Sequence, residues 1–219
     1  MPTLALRDPG MHLQKRAILA AVCAALGLGV ATLVFAVPGP TACAVIGFSG
    51  LKSLLDGTLV DQETPTQQQV RVAGLLSTAR GRIGSIFGTP RSKPIIVFFS
   101  NPDGFGPFKL NSFASTQFIG GRACVMVGPN GQNIDVVAHE LMHVELFDRV
   151  GYWRRFTEVP VWFDEGIAMQ VDYRSRYELP KNEPVDTAYV RRLESARQFF
   201  VPNDQQLTQN YAAAKLEVS

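Results

Sequence analysis

Three side chains within one helical turn carry the chemistry that this sequence offers. His139-Glu140-Leu141-Met142-His143 places two imidazoles four residues apart. On a helix, residues at that spacing lie one turn above each other, so both rings project from one face and can take the same ion. Glu140 sits beside them, placed to act as a general base towards a water on that ion. A catalytic zinc site normally uses three protein ligands and keeps a fourth position for water, so another donor is required. The chain holds only three histidines, and the remaining one, His12, lies far upstream. The third ligand is therefore expected to be a carboxylate.

Adjacent acids occur in the next apolar segment, Val159 to Asp172, at Asp164 and Glu165. An ionised carboxylate is costly to bury unless it is paired or bound to metal, and a divalent ion would supply that compensation. The two side chains point about 100° apart on a helix, so one of them reaches the ion, and spacing does not choose between them. Asp172 lies two turns after Glu165 on a similar face, where it is a candidate to accept a hydrogen bond from a ligand imidazole.

His139-Glu140-Leu141-Met142-His143, followed after twenty-one residues by Glu165 within Trp162-Phe163-Asp164-Glu165-Gly166-Ile167-Ala168, resembles the gluzincin metallopeptidases, in particular their small, peptidase-MA-like bacterial members. The likeness covers Arg122 to Asp172. It implies that Glu165 joins His139 and His143 on a single Zn2+, with Glu140 as catalytic base and Asp164 either capping its helix or supporting a ligand from behind. It also implies an α+β, zincin-like fold: a mixed sheet whose edge strand runs above the active-site helix, followed by a mainly helical part. The activity implied is hydrolysis of peptide bonds in a peptide or protein substrate. Gluzincins often stabilise the oxyanion with a Tyr or His outside the motif. With no histidine to spare, the candidates are Tyr152, Tyr173, Tyr177, Tyr189, Tyr211 and Arg174, of which Tyr173 is carried forward. The strand Arg122 to Val127 is expected to pair with extended substrate through the Ala123 and Val125 positions. The alternative function is a non-hydrolytic, zinc-stabilised binding or assembly module on the outer face of the cytoplasmic membrane.

The elements that must position these groups follow from local patterns. Asn133 is a plausible N-cap and Gly151 a C-terminal stop for the His139 helix. A strand, Pro94 to Phe99, and a second, Arg122 to Val127, precede it. Further upstream, Thr64-Pro65-Thr66-Gln67 predicts a helix start with Thr64 as cap. Val70, Leu75, Leu76, Ala79, Ile83 and Ile86 then form its apolar stripe, closed by Gly88. Asp186 to Phe200 and a segment from Asn203 read as two last helices.

Composition places the domain. Of 219 residues 46% are hydrophobic and 18% charged, enough apolar material for a packed core. The net charge is +2 and no Lys/Arg cluster tracks a phosphate backbone, so nucleic acid is not expected as a partner. Residues 17–37 carry no charge over twenty-one positions and follow Arg7, Lys15 and Arg16. That predicts a single-pass signal-anchor helix in the cytoplasmic (inner) membrane, with 1–16 as a cytoplasmic tail and 38–219 as an exported domain. The alternative is secretion after signal cleavage. In an oxidising compartment Cys43 and Cys124 are either a disulfide or two buried thiols.

Overall fold

Alternation along the strand Arg122–Val127 sets the layers of this computed structural model, which describes residues 18–25, 27–29, 32, 36–108, 110–178 and 187–219. Ala123, Val125 and Val127 face one buried cluster, while Cys124 and Met126 face another on the opposite side. A period of two puts successive side chains on opposite faces, so a strand apolar at both phases is covered on both sides. The strands are β1 (Lys52–Ser53), β2 (Leu59–Val60), β3 (Ile95–Phe98), β4 (Ala114–Ile119) and β5 (Arg122–Val127), ordered β1-β2-β3-β5-β4. The β2, β3 and β5 strands run parallel, and β1 and β4 are antiparallel to their neighbours. The fold is thus α+β with a mixed sheet.

Helix α1 (Pro38–Val45) packs Ala42 and Cys43 onto one sheet face, and a disulfide joins Cys43 to Cys124 with their Cα atoms 5.8 Å apart. The other face is covered by α2 (Thr66–Phe87) and α3 (Ile134–Val150). Helix α2 buries Val72, Leu76, Ala79 and Ile83, and burial of each Leu or Ile side chain contributes about 1.5–3 kcal/mol. Val70 and Ile86, expected in that stripe, are exposed, because the buried face turns through Val72. The helix also starts later than its capping pattern predicts: Pro65 is the N-cap, and Thr64 instead accepts from the Gln69 side chain through its carbonyl. Gly88 ends it as expected, at φ 74°.

After α3 come α4 (Tyr152–Thr157), α5 (Val161–Ala168), α6 (Ala196–Phe199) and α7 (Asp204–Glu217). The predicted helix from Asp186 to Phe200 is instead a 3-10 turn at Ala188–Arg192 and the short α6, separated by Leu193 at ψ 63°; position 186 lies outside the described residues.

Two expectations are corrected. Strand β5 lies between β3 and β4, so Ala123 and Val125 are on an interior strand whose hydrogen-bonding sides are both taken; the edge strand is β4. The predicted membrane-spanning helix over 17–37 is not found, since among the described residues no helix is long and apolar enough to cross a membrane. Val37 (φ −136°, ψ 66°) stands outside helical geometry just before Pro38 opens α1. Several positions of 17–37, and the expected tail 1–16, lie outside the described residues. The single-pass inner-membrane placement is withdrawn with the helix.

Candidate metal centre

Asn133 caps α3 by accepting the Val136 N–H at 3.0 Å, and its fixed start aims His139 and His143 along one face. Their Nε2 atoms stand 3.2 Å apart. Glu165 comes from α5, and its Oε2 lies 3.2 Å from His139 Nε2 and 3.6 Å from His143 Nε2. The glycine after it allows this approach. A Cβ on Gly166 would stand 2.5 Å from the Ala214 carbonyl oxygen on α7, so only glycine lets α5 lie this close to α7.

These three atoms fit a metal ion. Ligands held tetrahedrally at about 2.0–2.1 Å stand about 3.3–3.4 Å from one another, and the three observed separations bracket that spacing. A circle through the atoms has a radius of about 1.9 Å, so a point roughly 2 Å from all three exists just off their plane. His139, His143 and Glu165 are 5%, 7% and 6% exposed. Glu165 Oε2 is buried without a hydrogen-bond partner among the described residues, a costly state for a carboxylate that a cation relieves. The buried cluster could hold a metal ion.

Behind each imidazole stands an aspartate. His143 Nδ1–H donates to Asp164 Oδ1 at 2.9 Å. His139 Nδ1 faces Asp172 Oδ2 at 3.4 Å, close enough for ionic attraction but without the alignment of a hydrogen bond. The hydrogen bond keeps the proton of His143 on Nδ1, and the Asp172 charge favours a proton on Nδ1 of His139, so both Nε2 lone pairs turn inward. Asp172 reaches this place from the turn after α5, which ends at Ala168, rather than from a continued helix. The electrostatics call for positive charge. Burial opposes a charged His139, yet Asp172, Glu165 and Glu140 outweigh it and lift its pKa to about 10. Burial likewise opposes a charged His143, and Asp164 and Glu165 raise it. Burial disfavours the Asp172 carboxylate, while His139 and Arg174 hold it well below the usual range.

Glu140 projects beside the cluster, where its Oε2 accepts the Thr116 hydroxyl at 2.7 Å. Thr116 lies on the edge strand β4, and its face is shared by Phe118, which packs on Phe147 of α3. The cavity over the site measures about 360 Å3 and is walled by residues 114–117, Arg155, Phe200 and Tyr211. Tyr211 arrives from α7, and burial pushes its phenol far above the usual range, keeping it protonated. Tyr173 is not brought to the site. It is 52% exposed, its N–H donates to Asp135 and its ring lies 4.5 Å beneath the Arg82 guanidinium.

Thr116 and Arg155 form the part of the site that the sequence does not name, and Tyr211 is the one of its tyrosine candidates that lines the cavity. Strand alternation places Thr116 on the Phe118 face, but nothing local says what that face meets. A larger cavity of about 890 Å3 lies over the loops that follow β2 and β3, where Asp61 accepts from Ser100, but it brings together no cluster of metal-ligating side chains among the described residues, so chemistry rather than size selects the smaller one. No family model matches this chain, and no curated protein or solved structure matches it at significant similarity.

Proposed function

We propose that this domain is a zinc-dependent peptidase, with His139, His143 and Glu165 holding the ion and Glu140 as the catalytic base. The observation that carries the reading is the convergence of two Nε2 atoms and one Oε2 atom on a common point, with a second carboxylate fixed beside them by Thr116. Zinc is preferred among divalent ions because two imidazoles and one carboxylate are the donor set of hydrolytic zinc sites. When bound, the ion supplies Lewis-acid chemistry: it polarises a carbonyl and lowers the pKa of a water towards ~7.

The chain's own groups do the rest. Thr116 occupies Oε2 of Glu140 and leaves the other oxygen to take the proton of the attacking water. The same carboxyl then delivers that proton to the leaving amine nitrogen as the peptide C–N bond breaks, so the base is restored and one water is consumed. Tyr211, protonated in its buried place on the cavity wall, would serve as the donor to the developing oxyanion. The outer edge of β4 offers backbone groups along the cavity, which suits an extended peptide.

A peptide-library digest tests the reading. Cleavage is expected from the full chain loaded with Zn2+, with loss of activity in the presence of a chelator. Glu140→Gln should keep the metal and the fold and lower turnover by at least about 10²-fold. If Glu140→Gln cleaves as fast as wild type, the proposed mechanism is wrong.

A further inference from the structure

Each aspartate behind a histidine is itself held by an arginine. Asp164 receives Arg155, which comes from α4, and Asp172 receives Arg174. The two clamps differ in kind. Arg174 is a fork: its Nε donates to both Asp172 oxygens at 2.9 and 3.0 Å, and its Nη2 donates to Oδ2 as well. Arg155 is a single contact, Nη2 to Asp164 Oδ2, with its Nε buried and unpartnered among the described residues; its guanidinium lies 5.4 Å from the Phe118 ring and 5.7 Å from that of Phe156.

We infer that Arg155 and Arg174 are positioning residues of the metal centre, each acting through one aspartate to fix the orientation of one ligand imidazole. The inference rests on the metal reading above. A carboxylate that must keep a histidine turned inward works only if it is itself held, and the partners behind ligands set their geometry and basicity. Besides the fork, the Arg174 backbone N–H donates to Asp172 Oδ1 at 3.1 Å, which holds one oxygen whatever side chain stands at 174, and Lys215 donates to the Asp172 backbone oxygen at 2.9 Å, so the second oxygen is fixed by the guanidinium alone. Formal charge points the same way. Glu140, Asp164, Glu165 and Asp172 bring four negative charges, Arg155 and Arg174 two positive ones, and the two left over are the complement of one divalent cation.

The difference between the clamps gives the test. An ammonium can replace a single contact but not a fork. Zn2+ affinity is measured by chelator competition on the full chain for wild type, Arg155→Met, Arg174→Met, Arg155→Lys and Arg174→Lys. The Co2+ absorption spectrum is recorded for each as a report on ligand geometry, and metal-free melting separates folding from binding. Both Met variants should weaken Zn2+ by roughly tenfold and shift the Co2+ bands. Arg155→Lys should stay within about threefold of wild type, whereas Arg174→Lys should match its Met counterpart. Should the Met variants fail to fold, the Lys pair decides. Wild-type affinity and spectra in both Met variants, or equal behaviour of the two Lys variants, would overturn the inference. Absence of Zn2+ binding by wild type would instead refute the metal reading itself.

Discussion

Adding one methyl group at Gly166 should damage both the fold and the metal centre, although it improves the local helix. Alanine in place of a mid-helix glycine returns up to about 1 kcal/mol. Against this, the new Cβ would stand 2.5 Å from the Ala214 carbonyl oxygen and 3.0 Å from both its carbonyl carbon and Val218 Cγ2. Non-bonded contact requires roughly 3.5 Å, so α7 must retreat by about 1 Å. Two of the three atoms are backbone and the third belongs to a stiff valine, and overpacking of this kind costs about 1–3 kcal/mol. Against the full helical gain the net loss is up to about 2 kcal/mol, or a Tm lower by up to about 8 °C for a chain of this size. The retreat also disturbs Glu165, the neighbouring residue, and metal sites tolerate only about 0.2 Å of ligand displacement. Zn2+ affinity should therefore fall by roughly tenfold, as when the support of a ligand is lost. Gly74, inside α2 with no atom within 4 Å of where its Cβ would stand, provides the control, and Gly74→Ala should raise stability by up to about 1 kcal/mol. Thermal unfolding and chelator competition read both variants. A Gly166→Ala protein that melts at or above the wild-type temperature with unchanged Zn2+ affinity would refute the packing argument.

Three further outcomes are expected. Glu145 is buried and accepts the backbone N–H groups of Arg91 and Ser92 and the Arg149 guanidinium. Burial opposes its charge, but the Ser92, Arg149 and Arg91 donors hold the carboxyl below the usual range. A pKa depressed on folding stabilises above the unfolded value of about 4.3 and is lost as pH falls through the folded value. Glu145→Gln should thus be less stable than wild type by about 1–3 kcal/mol at pH 7, with the gap closing below about pH 4.5 in urea titrations; a gap that widens on acidification contradicts this. Thr116→Val should lower kcat by roughly tenfold with metal content unchanged, because Glu140 loses the donor that orients it; unaltered kcat would show that Thr116 is dispensable. Joint replacement of Cys43 and Cys124 by serine removes a link across 81 residues, for which loop entropy gives about 4.5 kcal/mol, and an unchanged urea midpoint would contradict that contribution.

The metal helix is legible in the sequence because its information is local. Four-residue spacing, the Asn133 cap and the Gly151 stop all act within one short stretch, and the seventeen residues of α3 run between cap and stop. Glu165 is separable from Asp164 only by resemblance, since both acids sit in one turn; the structure turns Glu165 towards the two Nε2 atoms and Asp164 towards Nδ1 of His143. Asp172 arrives at His139 by a turn rather than by the helical face its spacing suggests. Thr116 is not legible and Tyr211 is not separable from the other tyrosines, because both meet the site through packing of elements far apart in the chain, while Arg155, though only nine residues before Asp164, carries no local pattern that points it there. Strand order is likewise a long-range property: Arg122–Val127 reads as a strand, but its interior position depends on β4 folding back along it. The apolar run 17–37 satisfies a composition rule, yet among the described residues no helix is long and apolar enough to cross a membrane.

The most direct test of the account is elemental analysis of the purified full chain beside His143→Ala and Glu165→Ala. The expected result is one zinc per wild-type chain, with strongly reduced content in both variants while their folded signal persists. Wild-type protein without bound metal after zinc loading, or variants that retain full stoichiometry, would contradict the assignment of these side chains.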